Sequence, residues 1–266
     1  MVRSVDLQAL RRRIGAQAAA DRQGCAQAVV ALGEEAMDDA LPGRGLETGA
    51  IHEVRPASHR DFGAALGFGV GLLARLTRTD PRPVLWVSPS QGFQYGIVYP
   101  LGWIPFGLNP DCLHHLSVAS SPDMLWALEE GLASGALAAV VGLLPANTVS
   151  YDFTASRRLS LRAAATGTTA FLIRHHASAD MSTAALTRWS IASRPSTPLR
   201  REGLFIPGIG PPRWQADLVR CKRGQPRSWL VEWDHEAFRF RLASAMADRA
   251  PAMAEPAIER QWQMAS

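Results

Sequence analysis

The sequence predicts an α/β fold, with a mainly parallel central sheet flanked by helices and antiparallel strands at the C-terminal edge. Three observations carry this. Apolar runs of strand length recur at residues 50–54, 84–87, 137–144 and 169–173, as strands buried on both faces require. Helical stretches separate these runs, the alternation that builds a parallel sheet. From Trp214 onward the pattern changes to short alternating segments at 214–220, 228–234 and 237–242, joined by polar turns. A chain of 266 residues, 47% of them hydrophobic, can bury one full core. The core is placed at residues 28–242, between an N-terminal arm (1–27) and a flexible tail (243–266).

Residues 5–17 carry Leu7, Leu10 and Ile14 on one helical stripe, with Ser4 or Asp6 as start signals. Arg11, Arg12 and Arg13 cross its polar side, as a solvated face or a partner contact. After the strand at 50–54 come a tight loop (55–60) and a helix from about Asp61 to Thr77, with Asp61 or Ser58 as its N-cap. Gly63, Gly67, Gly69 and Gly71 would each weaken an exposed helix by up to about 1 kcal/mol, so this helix must lie close against a sheet. Asp80-Pro81-Arg82-Pro83 breaks the chain before the strand at 84–87.

Residues 101–110 read as irregular and 116–119 as a strand. A helix at 124–134 is announced by Ser121-Pro122-Asp123 and ended by Gly135, with Trp126 read as a core residue. The most hydrophobic strand, 137–144, belongs in the middle of the sheet. A helix at 157–165, a helix-like segment at 183–187 and a strand at 189–193 follow. Cys221-Lys222-Arg223-Gly224 is the turn between two C-terminal strands. The tail, with Trp262 exposed by context, reads as disordered or as a segment that folds on a partner.

The net charge is +4 with pI near 9.4, and Lys222 is the only lysine. Arginine suits bidentate contacts to phosphate or carboxylate, so a polyanion or an acidic protein face fits as a partner. Direct DNA binding stays open, and would show as affinity that falls steeply with salt. Cys25, Cys112 and Cys221 are isolated, which excludes a disulfide framework and a zinc site. The doublets His114-His115 and His175-His176 lack an acidic or cysteine partner at ligand spacing, so structural or surface roles are assigned to them. No apolar run is long enough to span a bilayer and the N-terminus has no apolar signal region, which places the chain in the cytoplasm.

The strand–loop–helix order at 50–77 is where a phosphate-binding loop sits, because backbone N–H groups and a helix N-terminus converge there on an anion. In register with G-x-x-x-x-G-K-[ST], the four required places are Arg55, Arg60, Asp61 and Phe62. All four are lost. A carboxylate at the lysine place repels a triphosphate, and a phenyl ring cannot ligate magnesium. No other lysine but Lys222 exists to take the role.

The approach AMDDALPGRGLETGAIHEV (36–54) resembles the entry to the RecA ATPase core, where an LD-x-AL…GGL-x-x-G turn leads into the phosphate-loop strand. The chain from 28 to 242 can be laid on that scaffold. It is most similar to the ImuA family of bacterial mutagenesis cassettes, RecA-like proteins without a working nucleotide site. On this resemblance two further requirements fail. The catalytic acid after the second strand falls on Ser88-Pro89-Ser90-Gln91, which holds no carboxylate, and the metal-directing aspartate falls on Gly142 and Leu143. The loop that grips single-stranded DNA is shortened to 175–182. Arg220 and Lys222, with Arg223 beside them, match a K-x-K element that reaches the neighbouring protomer's ATP.

The resemblance implies a non-catalytic accessory protein of damage-induced mutagenic translesion synthesis, nucleoid-associated and without a cofactor. Its partners would be ImuB, an error-prone DnaE-type polymerase and RecA, whose filament it could cap. Two other readings are carried: a SulA-type cell-division inhibitor and a DNA-stimulated RecA-type ATPase.

Overall fold

The computed structural model describes residues 28–90, 99–145, 148, 150–175, 181–196, 199–201, 204–206 and 210–243. The expected amphipathic arm, with Arg11, Arg12 and Arg13, and the tail after Ala243 lie outside them. A small antiparallel pair, β1 (Val29–Val30) and β2 (Leu46–Glu47), encloses the single-turn α1 (Glu35–Asp38) and leads into β3 (Ile51–Pro56). A 3-10 turn (His59–Asp61) opens α2 (Phe62–Thr77), which is followed by β4 (Val84–Pro89). Two 3-10 segments, Pro100–Phe106 and Pro110–Cys112, precede β5 (Leu113–Val118) and α3 (Ser121–Ser134). Then come β6 (Ala139–Leu144), α4 (Phe153–Thr166), β7 (Thr169–Arg174) and β8 (Thr187–Arg194). The short β9 (Leu199–Arg201) and β10 (Leu204–Ile206) pair with each other, and β11 (Arg213–Cys221), β12 (Arg227–Asp234) and β13 (Arg239–Leu242) finish the chain.

Nine strands form one sheet in the order β13-β12-β11-β8-β3-β7-β6-β4-β5. The run from β8 to β5 is parallel throughout, and β11, β12 and β13 extend it antiparallel beyond β8. This is the parallel core with an antiparallel C-terminal edge that the hydrophobic pattern predicts. The apolar strand β6 is buried along its whole length between β7 and β4.

Alternate residues of each strand feed two cores, because successive side chains leave a strand on opposite faces. On one face α2 packs with Val54, Trp189, Trp214, Trp233 and Phe240; on the other, α3 and α4 pack with Ile51, Val140 and Leu172. Phe68 of α2 centres the first core, with ring centroids 5.3 Å from Trp189, 5.9 Å from Trp214 and 5.0 Å from Phe240. The glycines of α2 are explained by this contact. A Cβ at Gly69 would stand 2.8 Å from Ile173, and one at Gly71 would stand 2.8 Å from Phe240. Only a bare backbone lets the helix sit that close to the sheet.

Local signals set the helix ends. Ser120, one residue earlier than expected, caps α3 by accepting from the Asp123 N–H at 3.2 Å, and Gly135 ends it in the left-handed conformation (φ 65°). Asp152 caps α4 through the Ala155 N–H at 2.7 Å, so this helix starts at Phe153 rather than at 157.

Three expectations are corrected. β5 begins at Leu113, because a sheet-edge strand tolerates His114 and His115 on half-exposed positions. Residues 183–186 are not helical; they form no regular element before β8, and the Thr183 and Ala184 carbonyls accept bonds from Arg220 of β11 and Lys222 of the turn after it. Trp126 is 39% exposed on α3 rather than part of the core.

Candidate functional site

The loop after β3 is closed by its own side chains. Asp61 is buried at the start of α2, but its carboxylate does not cap that helix. One oxygen accepts from the Ser58 hydroxyl at 2.6 Å, and the other accepts from both the Ser193 N–H and hydroxyl at 2.8 Å, on β8. Burial pushes this carboxyl up, but the hydrogen bonds from Ser58 and Ser193 outweigh it and hold the group below the usual carboxylate range. An incoming phosphate would therefore meet a fixed negative charge, with the Ser193 N–H already engaged. Phe62, the first residue of α2, packs its ring 5.0 Å from His175, which lies 5.4 Å from His59. Arg55 is half-buried on β3 and Arg60 is exposed on the 3-10 turn.

The other residues that the resemblance singles out lie at packing positions or are bonded within the fold. Gly142 and Leu143 lie in the buried centre of β6, and a Cβ on Gly142 would come 2.9 Å from Leu128 of α3. Ser88 is bonded to His115 at 2.7 Å between Oγ and Nε2, and burial lowers the His115 pKa. The Ser90 N–H is taken by the Val118 carbonyl at 2.7 Å. Residue 91 lies outside the described residues.

Sequence reasoning missed the polar groups inside β3. His52 and Glu53 are both wholly buried, on opposite faces of the sheet. Glu53 receives the Tyr151 hydroxyl at 2.7 Å on one oxygen and Arg188 Nε at 2.7 Å on the other. Arg188 also donates to the Met181 carbonyl at 2.8 Å and the Thr183 hydroxyl at 2.9 Å. Burial first, and the Glu53 charge second, push the Tyr151 phenol well up, so it stays a donor. Arg174, at the end of β7, lies over the Tyr151 ring at 5.7 Å.

His52 Nε2 lies 2.8 Å from the Glu47 carbonyl, which can only accept, so this nitrogen carries the hydrogen. Its Nδ1 then accepts from the Thr187 hydroxyl at 2.8 Å. Thus His52–Thr187, Glu53–Arg188 and Asp61–Ser193 tie β3 and its loop to β8 at three levels. The signal was visible in IHEV, where two polar residues interrupt a strand whose neighbours demand burial.

The basic turn is folded onto this chain. Arg220 donates to the Thr183 carbonyl at 3.0 Å, Lys222 Nζ donates to the Ala184 carbonyl at 2.5 Å, and Arg223 pairs with Glu47. The three cations are thus brought together beside the start of β8. A cavity of about 240 Å³ is lined by Leu73, Val84, Trp103 and Leu113, at the amino ends of β4 and β5.

The chain is 31% identical over 241 residues to Protein ImuA of Caulobacter vibrioides strain NA1000 / CB15N, covering 85% of this chain and 93% of that protein. Protein ImuA of strain ATCC 19089 / CIP 103742 / CB 15 matches to the same extent. The chain belongs to the ImuA family. No family model matches the sequence. In this ImuA-family chain the loop after β3, the buried polar ties and the basic turn all fall between residues 47 and 223.

Proposed function

We propose that this ImuA-family protein is a non-catalytic accessory factor of damage-induced mutagenic translesion DNA synthesis, built on a RecA-like scaffold. It works through contacts with ImuB, an error-prone DnaE-type polymerase and RecA, and not through nucleotide hydrolysis. The observation that carries the reading is Asp61: a buried carboxylate, held by Ser58 and Ser193, stands where a phosphate loop needs its lysine. The contact set is Arg11, Arg12 and Arg13 of the arm with Arg220, Lys222 and Arg223 of the basic turn. A subunit that docks on a RecA filament but offers no ATP interface stops its growth.

Co-purification with ImuB, the polymerase and RecA in turn, using the full chain and versions lacking residues 1–17 or the residues after 242, tests this. ImuB and the polymerase should be retained by the full chain, and RecA filament assembly should slow at saturating protein. Unchanged filament assembly removes the capping role. Failure to retain any of the three removes the accessory reading.

A further inference from the structure

The cavity at the amino ends of β4 and β5 suits an apolar guest. Its floor is the buried set Leu73, Val84, Trp103 and Leu108, and it opens to the surface at Pro81, Gly107 and Asn109. Trp103 is backed by Trp86, with ring centroids 4.6 Å apart. The polar groups on the wall are already engaged. Arg82 is paired with Asp80 at 2.6 Å and donates to the Gly135 carbonyl at 2.9 Å, and the Thr77 hydroxyl donates to the Leu73 carbonyl at 3.1 Å. Asn109 accepts from the Asp111 N–H at 3.0 Å and donates to the Cys112 sulfur at 3.6 Å. A charged guest would thus lose its water without gaining partners. An apolar cavity of roughly 150 Å³ takes benzene, so 240 Å³ leaves room for an indole ring.

The chain can bring such a ring to the cavity itself. The turn between β12 and β13 borders the opening: Phe238 packs on Gly107, where a Cβ would stand 2.7 Å from its ring, and His235 Nδ1 donates to the Pro105 carbonyl at 2.8 Å. β13 starts at the next residue, so at roughly 3.4 Å per residue Ala243 lies within about 17 Å of Phe238. Beyond Ala243 the sequence runs on to Ser266, and Trp262 is the only aromatic residue of that tail; the arm before residue 28 has none. A flexible chain of the length from Ala243 to Trp262 spans roughly 24 Å, enough to return to the opening. Tethered there, the indole has an effective concentration on the order of millimolar, which a separate molecule lacks.

We propose that the C-terminal tail folds back and seats Trp262 in this cavity, against Trp103 and over Leu73 and Val84. Trp262 and the cavity are then withheld together from other proteins. The contact lies within one chain and does not depend on the accessory reading.

Cys112, half-buried on the cavity wall, reports the seat. In the full chain its alkylation by iodoacetamide, followed at that residue by mass spectrometry, should be about tenfold slower than in Trp262→Ser, at every protein concentration. A labelled peptide of residues 255–266 should bind full-length Trp262→Ser saturably by fluorescence anisotropy, and the parent about tenfold more weakly, because the parent's own tail competes. The same peptide with W262S should not bind. Adding Cys112→Phe to Trp262→Ser fills the cavity from its wall and should abolish peptide binding, with the urea midpoint confirming the fold. Any one of three results overturns the proposal: equal alkylation rates in parent and Trp262→Ser, protection that grows with protein concentration and so places the tail on a second copy, or peptide binding that survives W262S in the peptide.

Discussion

Replacing Glu53 by alanine should lower stability by about 3–5 kcal/mol, because it strands a buried guanidinium. Arg188 has a side chain 6% exposed and cannot shed its proton, so the loss of its carboxylate is not repaired by neutralisation. Tyr151→Phe, which leaves the ion pair and removes only the hydroxyl donor at 2.7 Å, should cost about 1–3 kcal/mol. The double variant Glu53→Leu, Arg188→Met should recover only part of the loss, since an apolar pair of similar volume often replaces a buried ion pair without penalty but leaves the Tyr151 hydroxyl without its acceptor. Urea midpoints at constant m-value measure all three. A single variant Glu53→Ala within experimental error of the parent would show that the pair is solvated.

The second large effect is on pH. His52 is pushed down to about 4 by burial, with the bond to the Glu47 carbonyl opposing, whereas the unfolded chain titrates this group near 6.5. Between these values the unfolded state binds the extra proton. Stability is therefore unaffected above pH 6.5 and falls as pH drops toward 4, by about 3 kcal/mol in all. His52→Gln can donate to Glu47 and accept from Thr187 without titrating. Its stability should vary less over that window, and the slope that remains belongs to other groups such as His115, whose pKa burial also lowers. An unchanged slope in the variant would assign the effect elsewhere.

Where the chain is buried on both faces, its pattern was sufficient. The strands β3, β4, β6 and β7 stand close to their apolar runs, and the glycines of α2 announced the close contact that Ile173 and Phe240 now explain. Position at the edge was harder to read, because β5 has only one paired side and mixes His114 and His115 into its strand. The residues around 183–187 have helical composition, yet tertiary bonds decide their shape: Arg188, Arg220 and Lys222 all reach side chains into carbonyls or hydroxyls there.

At the loop after β3, the residue types at 55, 60, 61 and 62 could be read from the sequence. Their partners could not, since the Asp61–Ser193 contact joins residues 132 apart in the chain. The same holds for Glu53 and Arg188, 135 apart, whose pairing follows from the parallel register of β3 and β8. Local periodicity carries no information about such partners.

Titration calorimetry of the full chain with magnesium and ATP is the most direct test of the proposal that the loop after β3 binds no nucleotide. No saturable heat and no release of phosphate are expected. Stoichiometric ATP binding that is abolished by a substitution between residues 55 and 62 would contradict the account at its base.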